Sequence, residues 1–226
     1  MSTHAGPRLS RAKDDTSFDV IKRSHSLSGD TGHLDDFYRD WAASYDADVT
    51  DQGYLGPAMT TALAVDVTPE EAERSRTTVL DAGCGTGLVG VELARAGFGS
   101  IDGIDLSHPM VDRARDTGTY RHLTGGIDLN HPVECVEPET YDLLVCCGVF
   151  TVGHVEARAL DHLVEVVRPG GVLIISTRLS YLHRSGFSEH LGELAETGKI
   201  SLLRTEENGP YIDEEAAKYW VLSKDR

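Results

Sequence analysis

TTVLDAGCGTGLVGVELARAGFGSIDGID, residues 77–105, decides the fold. Val79 and Leu80 form a strand that runs into a turn built from Gly83, Gly85 and Gly87. A helix is expected over 88–96, ended by Gly97, which takes a left-handed cap without steric cost. Residues 101–104 make the next strand, and Asp105 stands at its carboxyl end. In a parallel sheet covered by helices, ligands bind at that end. Glycines admit a ligand close to the backbone, and a helix start offers unpaired N–H groups. A carboxylate at the tip of the second strand can accept both hydroxyls of a ribose, so the unit reads as a site for an adenosine-type ligand.

Two patterns overlap in this stretch. Gly85-Thr86-Gly87-Leu88-Val89-Gly90 satisfies GxGxxG, a dinucleotide signature. Asp81-Ala82-Gly83-Cys84-Gly85-Thr86-Gly87 satisfies an acidic-GxGxG pattern. Asp81 decides between them, because a carboxylate at the strand end repels a pyrophosphate. A ligand bearing a sulfonium and an ammonium suits an acidic mouth. The segment resembles a class I S-adenosylmethionine-dependent methyltransferase. FYRDWAASYDADVTDQGYLGP, residues 37–57, placed ahead of VLDAGCGTG, resembles the Williams–Beuren-region methyltransferase-like group. The resemblance implies an α/β, Rossmann-like, seven-stranded and mostly parallel sheet in class I methyltransferase order. Its last strand is antiparallel and helices cover both faces. S-adenosyl-L-methionine is the implied cofactor and S-adenosyl-L-homocysteine the implied product.

The 226 residues suffice for one such domain, expected over 34–226 behind an arm of residues 1–33. No apolar run is long enough to span a bilayer, and MSTHAGPRLSRAKDDTS at the start has no apolar core of a secretory signal, so a cytoplasmic chain is expected. Net charge is −16, from 21 basic and 37 acidic residues, which counts against a nucleic-acid acceptor or partner. The cysteines, Cys84, Cys135, Cys146 and Cys147, form no CxxC pair, and Cys146 and Cys147 point to opposite faces of one strand. No His, Asp or Glu group has metal-ligand spacing, so no metal is expected.

Taken in order, the polar arm reads either as a tail or as a lid over the ligand site, with Phe18, Val20, Ile21 and Leu27 as anchors. A helix is expected over 34–48, with Leu34, Phe37, Tyr38, Trp41 and Tyr45 on one face. The resemblance turns Tyr38 and Tyr45 toward the cofactor, where a tyrosine ring holds a sulfonium by cation–π attraction, and lays Tyr54 and Gly56 over the site. Pro57 opens the next helix, and Thr68-Pro69-Glu70-Glu71 reads as a capping box with Thr68 as N-cap. Ser107 caps a helix to about residue 117, with Leu106 and Met110 beside the adenine. A third strand is expected over 120–123. After it the resemblance makes Asp128 and Leu129 the adenine-edge contacts; an Asx turn before Asn130 is the other reading of Asp128. YDLLVCCGV, residues 141–149, is a strand buried on both faces, and its exit at Cys147 and Gly148 passes the sulfonium in this family. A helix over 156–167, the tight turn Arg168-Pro169-Gly170-Gly171 and a strand over 172–176 follow, then a polar loop over 178–186 and a helix over 186–197. Two closing strands are expected over 200–204 and 217–223, with Tyr219, Trp220 and Val221 as core or as a homodimer interface.

The cofactor-binding candidates are therefore Tyr38, Tyr45, Tyr54, Asp81, Gly83, Cys84, Gly85, Gly87, Asp105, Leu106, Met110, Asp128, Leu129, Cys147 and Gly148. Phe150, Arg178 and Tyr181 are the candidates for the acceptor. Methyl transfer from a sulfonium needs alignment first and a base only for some acceptors. His154, after the fourth strand, is the candidate base, with His25, His33 and His183 in reserve. The compact, acidic chain favours a small-molecule methyl acceptor. A protein methyltransferase or a silent cofactor-binding partner is the alternative, and a nicotinamide-dependent oxidoreductase the distant third.

Overall fold

Residues 141–150 form a nearly continuous apolar run, as a strand buried on both faces requires, and the computed structural model, which describes residues 16–24 and 31–225, places that strand in the middle of its sheet. The elements in chain order begin with α1 (Ser17–Ser24), α2 (Thr31–Trp41), α3 (Tyr45–Asp51), α4 (Gly56–Val67) and α5 (Glu71–Arg74). Next come β1 (Thr78–Ala82), α6 (Leu88–Arg95), β2 (Ser100–Asp105), α7 (His108–Asp116), β3 (His122–Gly125) and β4 (Tyr141–Phe150). The chain closes with α8 (Ala159–Val166), β5 (Val167–Arg178), α9 (Leu179–Ser185), α10 (Phe187–Glu196), β6 (Ile200–Ile212) and β7 (Glu215–Lys224).

The sheet has seven strands in the order β3-β2-β1-β4-β5-β7-β6. β1 to β5 are mutually parallel, while β7 runs antiparallel between β5 and β6. Chain order reverses between β1 and β4, which opens a crevice at their carboxyl ends. Period-two alternation feeds two cores. Leu80, Leu144 and Cys146 meet Leu160, Leu163 and Phe187 on one face. Val79, Leu143, Val145 and Cys147 meet Leu63, Leu93 and Trp41 on the other.

Several local expectations are corrected. The helix expected over 34–48 breaks after Trp41 and restarts at Tyr45. The break lets the Trp41 indole N–H reach buried Asp48 at 2.9 Å, where the Ser44 hydroxyl also donates at 2.9 Å. Thr68 is the C-cap of α4 rather than an N-cap, because Pro69 drives the residue before it out of helical geometry. Arg74 ties that corner down through the carbonyls of Thr68, Pro69 and Ala96. The third strand starts two residues later than expected and leaves Tyr120 free to turn inward. Arg168-Pro169-Gly170-Gly171 is a bulge inside β5, between the Tyr141–Val167 and Leu143–Val172 pairs. The polar loop over 178–186 is mostly helix α9. β6 continues to Ile212, because bulges absorb the turn-like Glu206-Glu207-Asn208-Gly209-Pro210 stretch.

Val20 of the arm is buried beside α3, where the Ser17 hydroxyl donates to Asp48 at 3.2 Å. The side chains of Phe18 and Ile21, and all of His25 and Leu27, lie outside the described residues. No helix among the described residues is long and apolar enough to cross a membrane. Tyr219, Trp220 and Val221 are core: the Trp220 indole donates to Thr177 Oγ1 at 2.8 Å and Tyr219 to the Pro210 carbonyl at 2.7 Å.

Candidate active site

The turn after β1 is held by the end of β2. Asp105 Oδ2 accepts the Gly85 N–H at 2.8 Å, and Oδ1 accepts the Ser107 N–H at 2.8 Å. Gly85 has φ +52, and a Cβ there would meet nothing, so the backbone faces open space in a conformation that favours glycine. Burial raises the Asp105 pKa, opposed by those two N–H donors. Each carboxylate oxygen keeps a lone pair for another donor. Thr86 Oγ1 donates to Asp46 Oδ1 at 2.5 Å and so fastens α3 to the glycine loop.

Asp81 lies elsewhere than the acidic mouth expected of it. It is fully buried beneath the loop, with Oδ2 accepting the Tyr120 hydroxyl at 2.6 Å and Oδ1 without a partner. Burial raises its pKa to about 7, against the lowering effect of the Tyr120 hydrogen bond. Alternation along β1 is the cause: Asp81 pairs with Gly103 and Val145 in the sheet and its side chain falls on the side of Tyr120. Cys84 likewise turns away, into a cluster with Val111 and Ala114, and Gly87 packs on Ala114 and Tyr120.

A cavity opens over the glycine loop. Its floor is Gly83, Gly85 and Asp105, and one wall is Leu106, Met110, Ile127, Asp128 and Leu129. The opposite wall is Cys147, Gly148 and Val149, with Leu34, Tyr38, Tyr45, His154 and Val155 closing over it. Asp128 makes the Asx turn, Oδ1 accepting the Asn130 N–H at 3.0 Å, and the residue also lines the cavity. Asn130 in turn accepts the Glu156 N–H at 2.8 Å through Oδ1, bracing the loop that bears His154.

A second, smaller hollow adjoins the first, and Tyr38, Tyr45, Gly148 and His154 line both. Trp41, Val49, Tyr54, Tyr211 and Ile212 form its other apolar walls, and Thr151 and Arg178 its polar ones. Gly148 has φ +81 and donates its N–H to Ser176 Oγ at 3.0 Å. A Cβ there would sit 2.9 Å from the Tyr54 hydroxyl and 3.0 Å from that of Tyr211, so glycine is required by both angle and space. Arg178, 5% exposed, pairs with Glu215 at 2.7 Å and Glu214 at 3.4 Å and lies over the Tyr211 ring at 5.7 Å. Thr151 Oγ1 is buried without a hydrogen-bond partner.

His154 Nε2 is 2.7 Å from the Tyr38 hydroxyl, and Nδ1 is 3.2 Å from the Val152 carbonyl. A carbonyl only accepts, so Nδ1 carries the proton and Nε2 accepts from Tyr38. Burial lowers the His154 pKa to about 4, assisted by the Arg178 charge and resisted by the bond to Val152. Burial also drives the Tyr38 phenol well above its ordinary value.

Of the sequence candidates, Tyr38, Tyr45, Gly83, Gly85, Asp105, Leu106, Met110, Asp128, Leu129, Cys147, Gly148 and His154 meet around the first cavity. Tyr54 and Arg178 join the second hollow instead. Gly56 is buried against Tyr54 and Cys147. Phe150 and Tyr181 line neither: Phe150 is turned into the core between Tyr181 and Phe187, because α9 replaces the expected loop and buries the Tyr181 ring. His33 and His183 are exposed and line neither cavity. Tyr211 and Thr151 were missed. Tyr211 sits at the end of the extension of β6, and nothing in its own neighbourhood marks it. Among the described residues no three His, Cys, Asp or Glu side chains gather as a metal site.

Residues 79–171 match the family model described as a methyltransferase domain. Human methyltransferase-like protein 27 is 32% identical over 142 residues, 63% of this chain and 56% of the relative. The ubiquinone biosynthesis O-methyltransferase of Rickettsia canadensis is 30% identical over 117 residues, 49% of this chain and 47% of the relative. The chain thus spans about half the length of the curated relatives it matches. The fold is that of a TehB-like S-adenosylmethionine-dependent methyltransferase from Corynebacterium glutamicum, at TM-score 0.55 and 24% identity over 74% of this chain and 88% of that one. It is shared with magnesium protoporphyrin IX methyltransferase from Synechocystis, a structure with bound S-adenosylhomocysteine, at TM-score 0.55 and 19% identity over 76% and 84%. The segment that matches the methyltransferase-domain model forms the glycine turn, the Asp105 clamp and the crevice between β1 and β4, on a fold shared with S-adenosylmethionine-dependent methyltransferases.

Proposed function

We propose that this chain transfers a methyl group from S-adenosylmethionine to a small-molecule acceptor. The observation that carries the reading is a pair of adjacent hollows: the one over the glycine loop shares Tyr38, Tyr45, Gly148 and His154 with a second, smaller one. That hollow suits a small guest and not a polymer. The ubiquinone and magnesium protoporphyrin IX enzymes are named for small-molecule acceptors, which supports the same reading. A net charge of −16 opposes a polyanionic acceptor.

The residues of the first cavity fit the cofactor. Asp105 has lone pairs to accept ribose hydroxyls, while Leu106, Met110, Ile127 and Leu129 offer apolar contact to a base, and Asp128 an acceptor at its edge. Gly83 and Gly85 let an amino-acid arm approach the turn, and the Tyr38 and Tyr45 rings supply faces for a cation. When bound, the cofactor supplies a methyl group activated by a sulfonium. The chain's own task is to hold the acceptor in line and exclude water, a positioning effect worth up to about 7–11 kcal/mol.

Calorimetry tests the reading. S-adenosylhomocysteine is expected to bind and NAD not to. Asp105→Ala removes the ribose acceptor and frees the Gly85 and Ser107 N–H groups, so affinity should fall at least about tenfold. Isotope-labelled S-adenosylmethionine should label a metabolite extract and leave a protein extract unlabelled. Labelling of protein alone would move the assignment to a protein methyltransferase, and binding of NAD in place of S-adenosylhomocysteine would refute it.

A further inference from the structure

We infer that the inner hollow is the acceptor site and that Tyr38 and His154 form a proton relay at its mouth, which makes the acceptor a hydroxyl compound, of the compact phenol class. The inference rests on the methyltransferase reading above and names its substrate chemistry.

Position is the first argument. Tyr38 and His154 are 116 positions apart in the chain, yet their 2.7 Å contact puts both in the wall that the two cavities share. A nucleophile reaching from the hollow toward the cofactor cavity passes them. Protonation is the second. With its Nδ1 proton committed to the Val152 carbonyl, His154 has one basic nitrogen, and the Tyr38 hydroxyl covers it. An acceptor therefore meets the Tyr38 oxygen, not the imidazole. Tyr38 is the catalytic residue in this arrangement, and His154 is a positioning residue that acts through it.

The hollow itself supplies the third argument. The rings of Trp41, Tyr54 and Tyr211 give flat walls that suit a flat guest. The partnerless Thr151 hydroxyl offers a hydrogen bond to a second oxygen on that guest. Buried Arg178, even held by Glu214 and Glu215, disfavours an ammonium and favours oxygen that is losing its proton. A neutral amine needs no base as it is methylated and sheds its proton afterwards. A phenol needs one, and the relay provides it.

The proton ledger balances within the chain. The acceptor O–H bond breaks, and its electron pair stays on that oxygen, which uses it to bond the methyl carbon delivered by the donor. The released proton goes to Tyr38 Oη while the Tyr38 proton passes to His154 Nε2. The resulting imidazolium returns its proton through Tyr38 to solvent once product leaves.

The ionisable and charged groups around His154 are Tyr38 on α2, Tyr45 on α3, Asp105 on β2, Asp128 after β3, Cys147 on β4, Arg178 on β5 and Tyr211 on β6. Burial and Arg178 keep the ring unprotonated down to about pH 4. Turnover should then be level from neutral pH to about pH 5 and fall only below that, not near pH 6.5 as for an ordinary histidine.

The test uses the full chain saturated with S-adenosylhomocysteine and 4-nitrocatechol as probe, a catechol whose ionised form absorbs at longer wavelength. Binding at a pH where the free probe is un-ionised should shift its spectrum to longer wavelength as its hydroxyl donates to Tyr38 Oη, short of full ionisation, because His154 stays unprotonated down to about pH 4. Tyr38→Phe, which keeps the ring packed on Phe37 and Trp41, and His154→Gln should each abolish the shift. Nitrogen-15 spectra of labelled histidine should show the Nδ1–H tautomer of His154, with its Nε2 resonance displaced in Tyr38→Phe. With S-adenosylmethionine and catechol, both variants should lose about 10²-fold or more in kcat with little change in KM. A Tyr38→Phe protein that still shifts the probe's spectrum, or methylation of benzylamine with catechol ignored, would overturn the relay while leaving the methyltransferase intact. Failure of S-adenosylhomocysteine to bind at all would instead overturn the parent reading.

Discussion

Asp81 and His154 show how burial sets opposite pH slopes inside one site. Unfolded, the Asp81 carboxyl ionises near 3.8; folded, near about 7. Between those values the folded chain keeps a proton that the unfolded chain has lost, so this group stabilises at low pH and its contribution drains away as pH rises to 7. For His154 the folded value of about 4 lies below the unfolded 6.5. As pH falls across that window the unfolded chain takes up a proton that the folded chain refuses, so stability falls with pH. Asp81→Asn removes the first slope and keeps an oxygen to accept the Tyr120 hydroxyl. At pH 8 the variant should be more stable than the parent by about 1–3 kcal/mol, the gain shrinking toward pH 4. Denaturant melts at pH 4, 6 and 8 read it directly, and a variant less stable at pH 8 would show that the ionised carboxylate is not strained by burial. The sequence places Asp81 at the end of β1, but its direction depends on Tyr120, 39 residues on, which no local pattern announces.

At the scale of elements, the exit of β4 is the hinge of the site. It must leave the sheet, let Gly148 donate to Ser176 and pass beneath two tyrosines at once. Gly148→Ala meets the Tyr54 and Tyr211 hydroxyls in a backbone conformation that disfavours a side chain. A loss of roughly 1–3 kcal/mol is expected, seen as a lower melting temperature together with displaced resonances of both rings. Unchanged melting would mean the loop relaxes freely. The strand itself was legible: YDLLVCCGV is apolar throughout, and only a strand covered on both faces tolerates that. The break between α2 and α3, helix α9 and the long β6 were not. Each is stabilised by side-chain packing or strand pairing outside its own backbone pattern: Asp48 gathers Ser17, Ser44 and Trp41, Phe150 and Phe187 receive Tyr181, and β7 pairs with the charged stretch of β6. Local propensity for a turn or a loop is worth less than such packing.

The whole molecule is a sheet whose order reverses between β1 and β4, bearing a net charge of −16. Self-repulsion at that charge opposes the compact state, and salt screens it over about 10 Å at 0.1 M ionic strength. Raising sodium chloride from 20 to about 300 mM should therefore raise the melting temperature by a few degrees. A flat or falling response in differential scanning calorimetry would mean that the acidic residues are neutralised by local ion pairs instead. The sequence by itself determined the first two strands with their helix and the floor of the first cavity: glycines between two strands, a helix behind them and a carboxylate at the next strand end are all encoded within 29 consecutive residues, 77–105. Backbone geometry and period-two burial act over a few residues, so a local stretch suffices to specify them. Only the tertiary structure decided the second hollow and the meeting of Tyr38, His154, Arg178 and Tyr211 around it. Those residues come from α2, from the loop after β4, and from β5 and β6, and it is sheet pairing and core packing, not any spacing along the chain, that bring them within reach of one another.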